Sequence, residues 1–140
     1  MKKNTHFIIF LLLATINLLA IKIYYDNHYH DDLRYSLPDI KAKAEQGNAQ
    51  AQYNIGLAYA TGKGVKQDYT YAIKWLKQAG VQGYVKAQLT LGQMYYTGTG
   101  VKLDYNMAAQ WFDEACDNGS PEGCRMYQQL RTAGYNTSQK

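Results

Sequence analysis

The chain has 140 residues, of which 46% are hydrophobic and 19% charged, and its formal net charge at pH 7 is +4. This length and composition support one small packed domain and exclude a chain that is disordered throughout. From residue 31 onward twelve basic residues accompany ten acidic ones. This excess is too small and too dispersed for nucleic-acid binding, so we expect no nucleic-acid partner.

The N-terminal segment 1–25 is predicted to be a signal anchor or a signal peptide. Lys2 and Lys3 precede an apolar run, which is the order typical of an export signal. No small-x-small cleavage site follows the run, which is long enough to span a bilayer if Lys22 reaches the headgroups. We therefore expect membrane attachment through residues 7–25, with one crossing of the inner membrane and the rest of the chain in the periplasm. Cleavage, giving a secreted or periplasmic protein, is the alternative, and an apolar helix buried in a soluble core is a third interpretation.

A polar segment, residues 26–37, follows and is predicted to be a tether. It contains His28 and His30 next to aspartates. Such a pair could contribute to a transition-metal site, but no third ligand has a fixed position nearby. We therefore interpret the segment as a solvated linker and expect no metal site and no cofactor.

An internal repeat of 36 residues fills most of the remaining chain. Residues 48–83 and 84–119 are identical at fifteen aligned positions, which include four glycines and the pair Trp75 and Trp111. Chance would give only a few identities. A repeat of this length predicts stacked two-helix units in which neighbouring copies bury each other's apolar faces. The tryptophans are accordingly expected to pack between repeats.

Each copy is predicted to form two helices, because small and apolar residues recur three and four positions apart. Gly62 and Gly64 end the first helix of the first copy, since glycine suits a helix C-terminus and a tight loop. Asp68 and Asp104 are the predicted N-caps of the second helices. We call the first helix of each copy helix A, expected at 49–61 and 85–97, and the second helix B, expected at 69–82 and 105–118.

Half-repeats are predicted at both ends of the stack. Residues 38–47 correspond to a lone helix B, and residues 120–133 to a lone, polar helix A that starts with Ser120 as N-cap and a proline after it. The predicted fold is therefore an all-α, α/α superhelix over residues 38–133. It is preceded by the membrane helix or signal and followed by a flexible tail at 134–140.

The repeated pattern is A-x-x-x-L/I-G-x-x-Y-x-x-G-x-G-V-x-x-D-Y-x-x-A-x-x-W-x-x-x-A. It resembles the Sel1-like repeat (SLR) family, whose members are relatives of tetratricopeptide repeats. The resemblance implies a scaffold that holds a protein or peptide on a concave face formed by the A helices. Bacterial members include secreted cysteine-rich proteins, signalling adaptors and immunity proteins paired with secreted toxins. For this chain the resemblance implies an adaptor or an immunity-type inhibitor whose partner is another protein or peptide.

The resemblance also implies a disulfide between Cys116 and Cys124. Cysteine-rich members of the family join one helix to the next with a pair at this spacing, and export would place the pair in an oxidising compartment. Two buried free thiols that act as small hydrophobes are the alternative.

Partner contacts are expected where the two copies differ on the outward face of helix A. Tyr96 and Met94 are the predicted anchors, because the first is large and the second adaptable. The predicted partner groove consists of Gln50, Asn54, Ala58, Lys86, Thr90, Met94 and Tyr96.

An enzymatic function is not expected. All three histidines, His6, His28 and His30, precede the repeats, which therefore carry no imidazole base. None of the three serines begins an S-x-x-K motif of the penicillin-recognising enzymes. A weak cell-wall or β-lactam hydrolase of the cysteine-rich SLR type is the alternative function, and a purely structural envelope component is a third.

Overall fold

The computed structural model describes residues 37–135 as one helical unit. The predicted signal or anchor, the tether except for Leu37, and residues 136–140 of the predicted tail lie outside the described residues. Between residues 37 and 135, no helix has the length and apolar character needed to cross a bilayer.

The described part of the chain consists of six α-helices and no strand, in agreement with the predicted all-α class. The helices are α1 (Leu37–Glu45), α2 (Ala49–Thr61), α3 (Tyr69–Gly80), α4 (Val85–Thr97), α5 (Tyr105–Asp117) and α6 (Pro121–Thr132). The first copy of the repeat contains α2 and α3, and the second contains α4 and α5. The half-repeats are α1 and α6. The A helices are therefore α2, α4 and α6.

The predicted bounds of helix A are confirmed in both copies, whereas both B helices end earlier than predicted. In the first copy α3 ends at Gly80, and the next three residues form a turn before Tyr84. There the amide of Gly83 donates to the carbonyl of Gly80 at 3.0 Å, and the amide of Tyr84 donates to that of Ala79 at 3.2 Å. Gly83 has a φ of 80°, so it closes this turn after the helix rather than ending the helix itself.

Short polar side chains cap the helices where the sequence predicts caps. The carboxylate of Asp68 accepts a hydrogen bond from the amide of Tyr71 at 3.1 Å, and that of Asp104 from Met107 at 3.0 Å. The hydroxyl of Ser120 accepts from the amide of a residue three positions on, at 3.1 Å. Each cap satisfies one of the first-turn amides that have no partner within their own helix.

Each helix packs against the next one along the chain, and the buried side chains form three clusters. Trp111 of α5 packs against the cluster that Leu76 and Leu91 form between α3 and α4. Trp75 of α3 packs against the cluster between α1 and α2. Both tryptophans therefore contact the preceding unit, which confirms the prediction that they pack between repeats.

Gln52 and Gln88 form polar clasps that join each A helix to the B helix before it. The Gln88 amide nitrogen donates to the Gly80 carbonyl at 2.9 Å, and its oxygen accepts from the Asn118 side chain at 3.3 Å. Gln52 makes the equivalent bonds to Ala44 and Gln82. The two glutamines are 5% and 1% exposed, so their hydrogen-bonding groups have no ready access to water.

The third junction of this kind is covalent. Cys116 and Cys124 lie 36 residues after Gly80 and Gln88, and they form a disulfide with a Cα–Cα distance of 4.5 Å. The predicted disulfide is thereby confirmed. It joins α5 to α6 at the position where the earlier junctions use a glutamine side chain.

We expect the substitution Gln88→Ala to lower the free energy of unfolding by about 1–3 kcal/mol, because it removes a buried hydrogen bond to the Gly80 carbonyl, which keeps the Gly83 amide as a donor, and leaves a cavity at a fully buried side chain. Urea unfolding followed by circular dichroism measures the change. The control is Gln93→Ala on the same helix, where the side chain is exposed and a change within about 0.5 kcal/mol is expected. Equal effects of the two substitutions would contradict a stabilising role for the clasp.

Candidate protein-binding face

The A helices present one side to the core and the other side to solvent. On α4, Ala87 and Leu91 are completely buried, whereas Lys86, Gln93 and Thr97 are exposed. The exposed residues are separated by seven and four positions, so they lie along one stripe of the helix. We use the term A-helix face for the solvent side of α2, α4 and α6. This face is where the sequence predicts partner contacts.

The structure distributes the seven predicted groove residues over different environments. Gln50 and Lys86 are exposed in the first turns of α2 and α4, while Asn54, Ala58 and Thr90 are half-buried. Thr90 and Met94 line the same groove, which is described below. The α2 residues and Lys86 do not line that groove.

Of the two predicted anchors, Met94 is 6% exposed and belongs to the core cluster of Leu76 and Leu91. It therefore contributes to the lining of the groove while most of its side chain packs inward. Tyr96 is 38% exposed and does not line the groove. Its ring lies 5.4 Å from that of Tyr105, measured between centroids, in an edge-on arrangement.

An open groove of about 330 Å³ lies between α4 and the first turn of α6. The side chain of Phe112, which is 2% exposed, contributes to its lining from α5. Among the described residues that line it, Glu122 is the only ionisable one, and it comes from the half-repeat. The groove is lined by Leu89, Thr90, Gln93, Met94, Thr97, Thr99, Phe112 and Glu122.

Amide and hydroxyl groups dominate the polar lining of this groove. The hydroxyls of Thr90 and Thr97 donate to the carbonyls of Lys86 and Gln93 at 2.7 and 2.9 Å, so each oxygen keeps acceptor capacity; that of Thr97 also shares a hydrogen bond with the Thr99 hydroxyl at 2.8 Å. The side-chain amide of Gln93 makes no hydrogen bond to any residue between 37 and 135. The lining therefore offers a free donor and several acceptors beside apolar surface, an arrangement suited to a peptide main chain.

The sequence pattern did not predict that Phe112 and Glu122 line the groove. Phe112 lies on helix B, where its spacing predicts core packing, and Glu122 lies in the predicted closing cap. The 36-residue repeat does indicate Glu122 as a candidate, because Glu122 aligns with two predicted groove residues, Lys86 in the second copy and Gln50 in the first. The side chains at this repeated position therefore differ in charge from one A helix to the next.

Within residues 37–135 no three histidine, cysteine, aspartate or glutamate side chains lie close enough together to hold a metal ion. The three histidines, which include the His28 and His30 pair of the tether, lie outside the described residues.

Comparisons with known proteins place the repeat in a defined family. A family model described as Sel1 repeat matches residues 49–84 and 85–120. A Sel1 repeat protein from Oxalobacter formigenes has a similar structure, with a TM-score of 0.65 and 33% sequence identity over 71% of this chain and 74% of that one. No curated protein matches the chain significantly.

Two further solved structures are similar. One is c5321, a protective antigen of uropathogenic Escherichia coli strains that displays an SLR fold; its TM-score is 0.68 and its identity 34%, over 73% of this chain and 22% of that chain. The other is Helicobacter pylori cysteine rich protein B, with a TM-score of 0.61 and 27% identity over 64% of this chain and 68% of that chain. The matched model, the six-helix stack and these structures agree, and the chain belongs to the Sel1 repeat family.

Proposed function

We propose that this Sel1 repeat protein is a membrane-tethered binding module that holds another protein on its A-helix face. Sel1 repeats are in general protein-interaction modules. The finer proposal is that an extended segment of the partner lies in the groove between α4 and α6 and contacts the neighbouring exposed residues of the same face.

The composition of the groove is the observation that carries this proposal. Gln93 offers an amide without an intramolecular partner among the described residues, while Leu89 and Phe112 provide apolar contact. A partner main chain would supply the donors and acceptors that these groups lack, and its side chains would cover the apolar part. Glu122 favours a basic residue in the partner at that end of the groove.

The side chains that differ between copies give the face its selectivity. Gln50, Lys86 and Glu122 are equivalent positions on the three A helices, and all three are exposed. A matching partner must therefore present a polar group to Gln50, an acidic group to Lys86 and a basic or polar group to Glu122. Such a requirement fits an adaptor or an immunity-type inhibitor with one specific partner better than a surface that accepts many partners.

The proposed location is the outer side of the inner membrane. Support comes from Lys2 and Lys3, which precede the apolar run of residues 7–25, and from the absence of a small-x-small cleavage site. The Cys116–Cys124 disulfide is consistent with an oxidising compartment such as the periplasm. Alkaline extraction of membranes tests the tether, since an uncleaved anchor stays in the pellet.

The double substitution Thr90→Lys with Gln93→Lys is expected to reduce recovery of the partner by about tenfold or more, because it fills the groove with two charged side chains that the partner must desolvate. Affinity co-purification under oxidising conditions with quantitative mass spectrometry measures the recovery. The matched control is Gln110→Lys, an exposed position on α5. Unchanged recovery with the double variant, or an equal loss with the control, would contradict binding in the groove.

A further inference from the structure

The two loops that connect an A helix to the following B helix lie at the same end of the helical stack. The side chain of Leu37 packs against Gly64 of the first loop so closely that a Cβ there would lie 2.6 Å from the Leu37 Cδ1. In the same way the ring of Tyr69, at the start of α3, leaves no room for a Cβ on Gly100 of the second loop. These contacts join the start of α1 and both loops into one continuous edge. We call residues 62–68 and 98–104, with Tyr71 and Tyr96 beside them, the loop edge.

Exposed apolar side chains concentrate on the loop edge. Four large hydrophobic residues are exposed within residues 37–135, and three of them lie here: Tyr71 is 52%, Leu103 47% and Tyr96 38% exposed. The fourth, Val81, lies in the turn after α3. Tyrosine combines an apolar ring with a polar hydroxyl, so it suits the boundary between lipid headgroups and acyl chains.

The charged side chains that project freely from the loop edge are lysines. Lys63, Lys66 and Lys102 are all exposed. The carboxylates in the same loops, Asp68 and Asp104, accept first-turn amides of α3 and α5, where the helix dipole offsets their charge. An approaching surface therefore meets the lysine ammonium groups first, which favours a surface of negative charge.

The part of the chain that precedes the described residues joins the fold at this edge. Residues 26–36 link the apolar segment to Leu37, which packs against Gly64. A link of eleven residues spans at most about 36–40 Å when fully extended. A lipid surface that holds residues 7–25 is therefore within reach of the loop edge, whereas no such argument favours an acidic protein at this position.

We propose that the loop edge docks on an anionic lipid surface, with the three lysines at the lipid phosphates and with Tyr71, Tyr96 and Leu103 at the level of the headgroups. This proposal rests on the membrane tether of the proposed function. Docking fixes the orientation of the stack, because one end of the A helices then faces the lipid. The A-helix face stays open to the partner. Each lysine near such a surface adds to the attraction.

The test uses the full chain in nanodiscs of phosphatidylethanolamine and phosphatidylglycerol, with phosphatidylcholine nanodiscs and detergent micelles for comparison. Lysine acetylation with a water-soluble reagent is followed by mass spectrometry. We expect Lys63, Lys66 and Lys102 to react about fivefold more slowly in the anionic nanodiscs than in detergent. The internal controls are Lys74 on the outer side of α3 and Lys86 in the first turn of α4. Each should react at the same rate in the anionic nanodiscs, the phosphatidylcholine nanodiscs and the detergent micelles.

Equal reactivity of the loop-edge lysines and the controls in anionic nanodiscs would overturn the docking proposal and leave the tether intact. Protection that is the same in detergent as in anionic lipid would also overturn it, since that result indicates a protein contact. A chain that does not enter nanodiscs at all would overturn the tether of the proposed function, and with it the docking that rests on it.

A double variant distinguishes lipid binding by the loop edge from membrane attachment through residues 7–25. Lys66→Glu combined with Lys102→Glu should abolish the protection of Lys63 while the chain stays in the anionic nanodisc. Lys74→Glu, the control, should leave the protection unchanged. Retained protection of Lys63 in the double variant would contradict an electrostatic contact with the lipid.

Discussion

Replacing Phe112 with alanine is expected to lower the free energy of unfolding by about 3–5 kcal/mol, the largest effect of any single substitution considered for this chain. The ring is 2% exposed and belongs to the cluster between α5 and α6. It also packs against the backbone of α4, where a Cβ on Gly92 would lie 2.6 Å from the Phe112 Cε1. Removing the ring therefore opens a cavity that borders three helices, and neither α4 nor α6 can fill it without moving away from its other contacts.

The matched control for this substitution is Phe112→Leu. Leu76 occupies the equivalent position in the first copy, where it packs against Gly56 in the same way. Leucine therefore fits the repeat, and a cost below about 1.5 kcal/mol is expected. Urea unfolding of both variants and the parent chain measures the two changes. A cost for Phe112→Ala no larger than that for Phe112→Leu would show that the ring does not fill the junction of α4, α5 and α6.

Gly123→Ala is expected to destabilise the protein by about 1–3 kcal/mol, although alanine is the better helix former by roughly 1 kcal/mol. A Cβ at Gly123 would lie 2.8 Å from the Cβ of Ala115, 2.9 Å from the Cys116 nitrogen and 2.9 Å from the Phe112 carbonyl oxygen. Two of these atoms belong to the backbone of α5, so no side-chain rotation relieves the overlap. Since the disulfide holds the adjacent residue against α5, α6 would have to tilt around that link.

The sign of the stability change on Gly123→Ala distinguishes the close contact between α5 and α6 from helix propensity. The contact makes the substitution destabilising, whereas propensity alone would make it stabilising. Gln128→Ala on the same helix removes an exposed side chain, and we expect a change within about 0.5 kcal/mol. Thermal and urea unfolding of both variants provide the comparison. A stabilising effect of Gly123→Ala would mean that α5 and α6 are farther apart in solution than the structure places them.

The two copies made most of the fold predictable from the sequence. Identical residues at fifteen positions fixed the register, and the residues that end or cap helices occur in both copies at the same places. The A helices therefore begin and end where predicted, and Asp68 and Asp104 are N-caps. The B helices end earlier, at Gly80 and Asp117, because the glycine that follows each one closes a separate turn.

The polar clasps illustrate what periodicity could not reveal. Gln52 and Gln88 are identical in the two copies, yet a glutamine on a helix gives no sign of which carbonyl it will reach. Only the packing of α2 against α1 and of α4 against α3 places the buried amides beside Ala44 and Gly80. The same placement explains why two cysteines can replace a clasp at the third junction.

The candidate groove was only partly predictable for a related reason. The outward stripe of α4 includes Thr90 and Gln93, and the spacing of these residues identifies them as surface positions. Met94 lies one position further round the helix, which is enough to bury it against Leu76. Glu122 reaches the groove through the packing of α6 on α5, a tertiary contact that no local pattern encodes.

The disulfide lies next to the groove wall and gives it a fixed position. Glu122 precedes Cys124 by two residues, so the link to Cys116 holds the first turn of α6 that forms this wall. A cross-link acts mainly on the unfolded chain, but it also limits the motion of the segments that it joins. The disulfide therefore limits the motion of the α6 wall relative to α5, the helix that contributes Phe112 to the lining.

Site-specific photo-crosslinking in living cells tests most directly whether a partner protein binds in the groove of the A-helix face. A photoreactive phenylalanine analogue would replace Gln93 in the groove or Gln110 on α5, both exposed in the free protein. We expect one dominant cross-linked protein from position 93, and loss of that product when Thr90→Lys is added. Cross-links of equal yield from both positions, or from position 110 alone, would contradict binding in the groove.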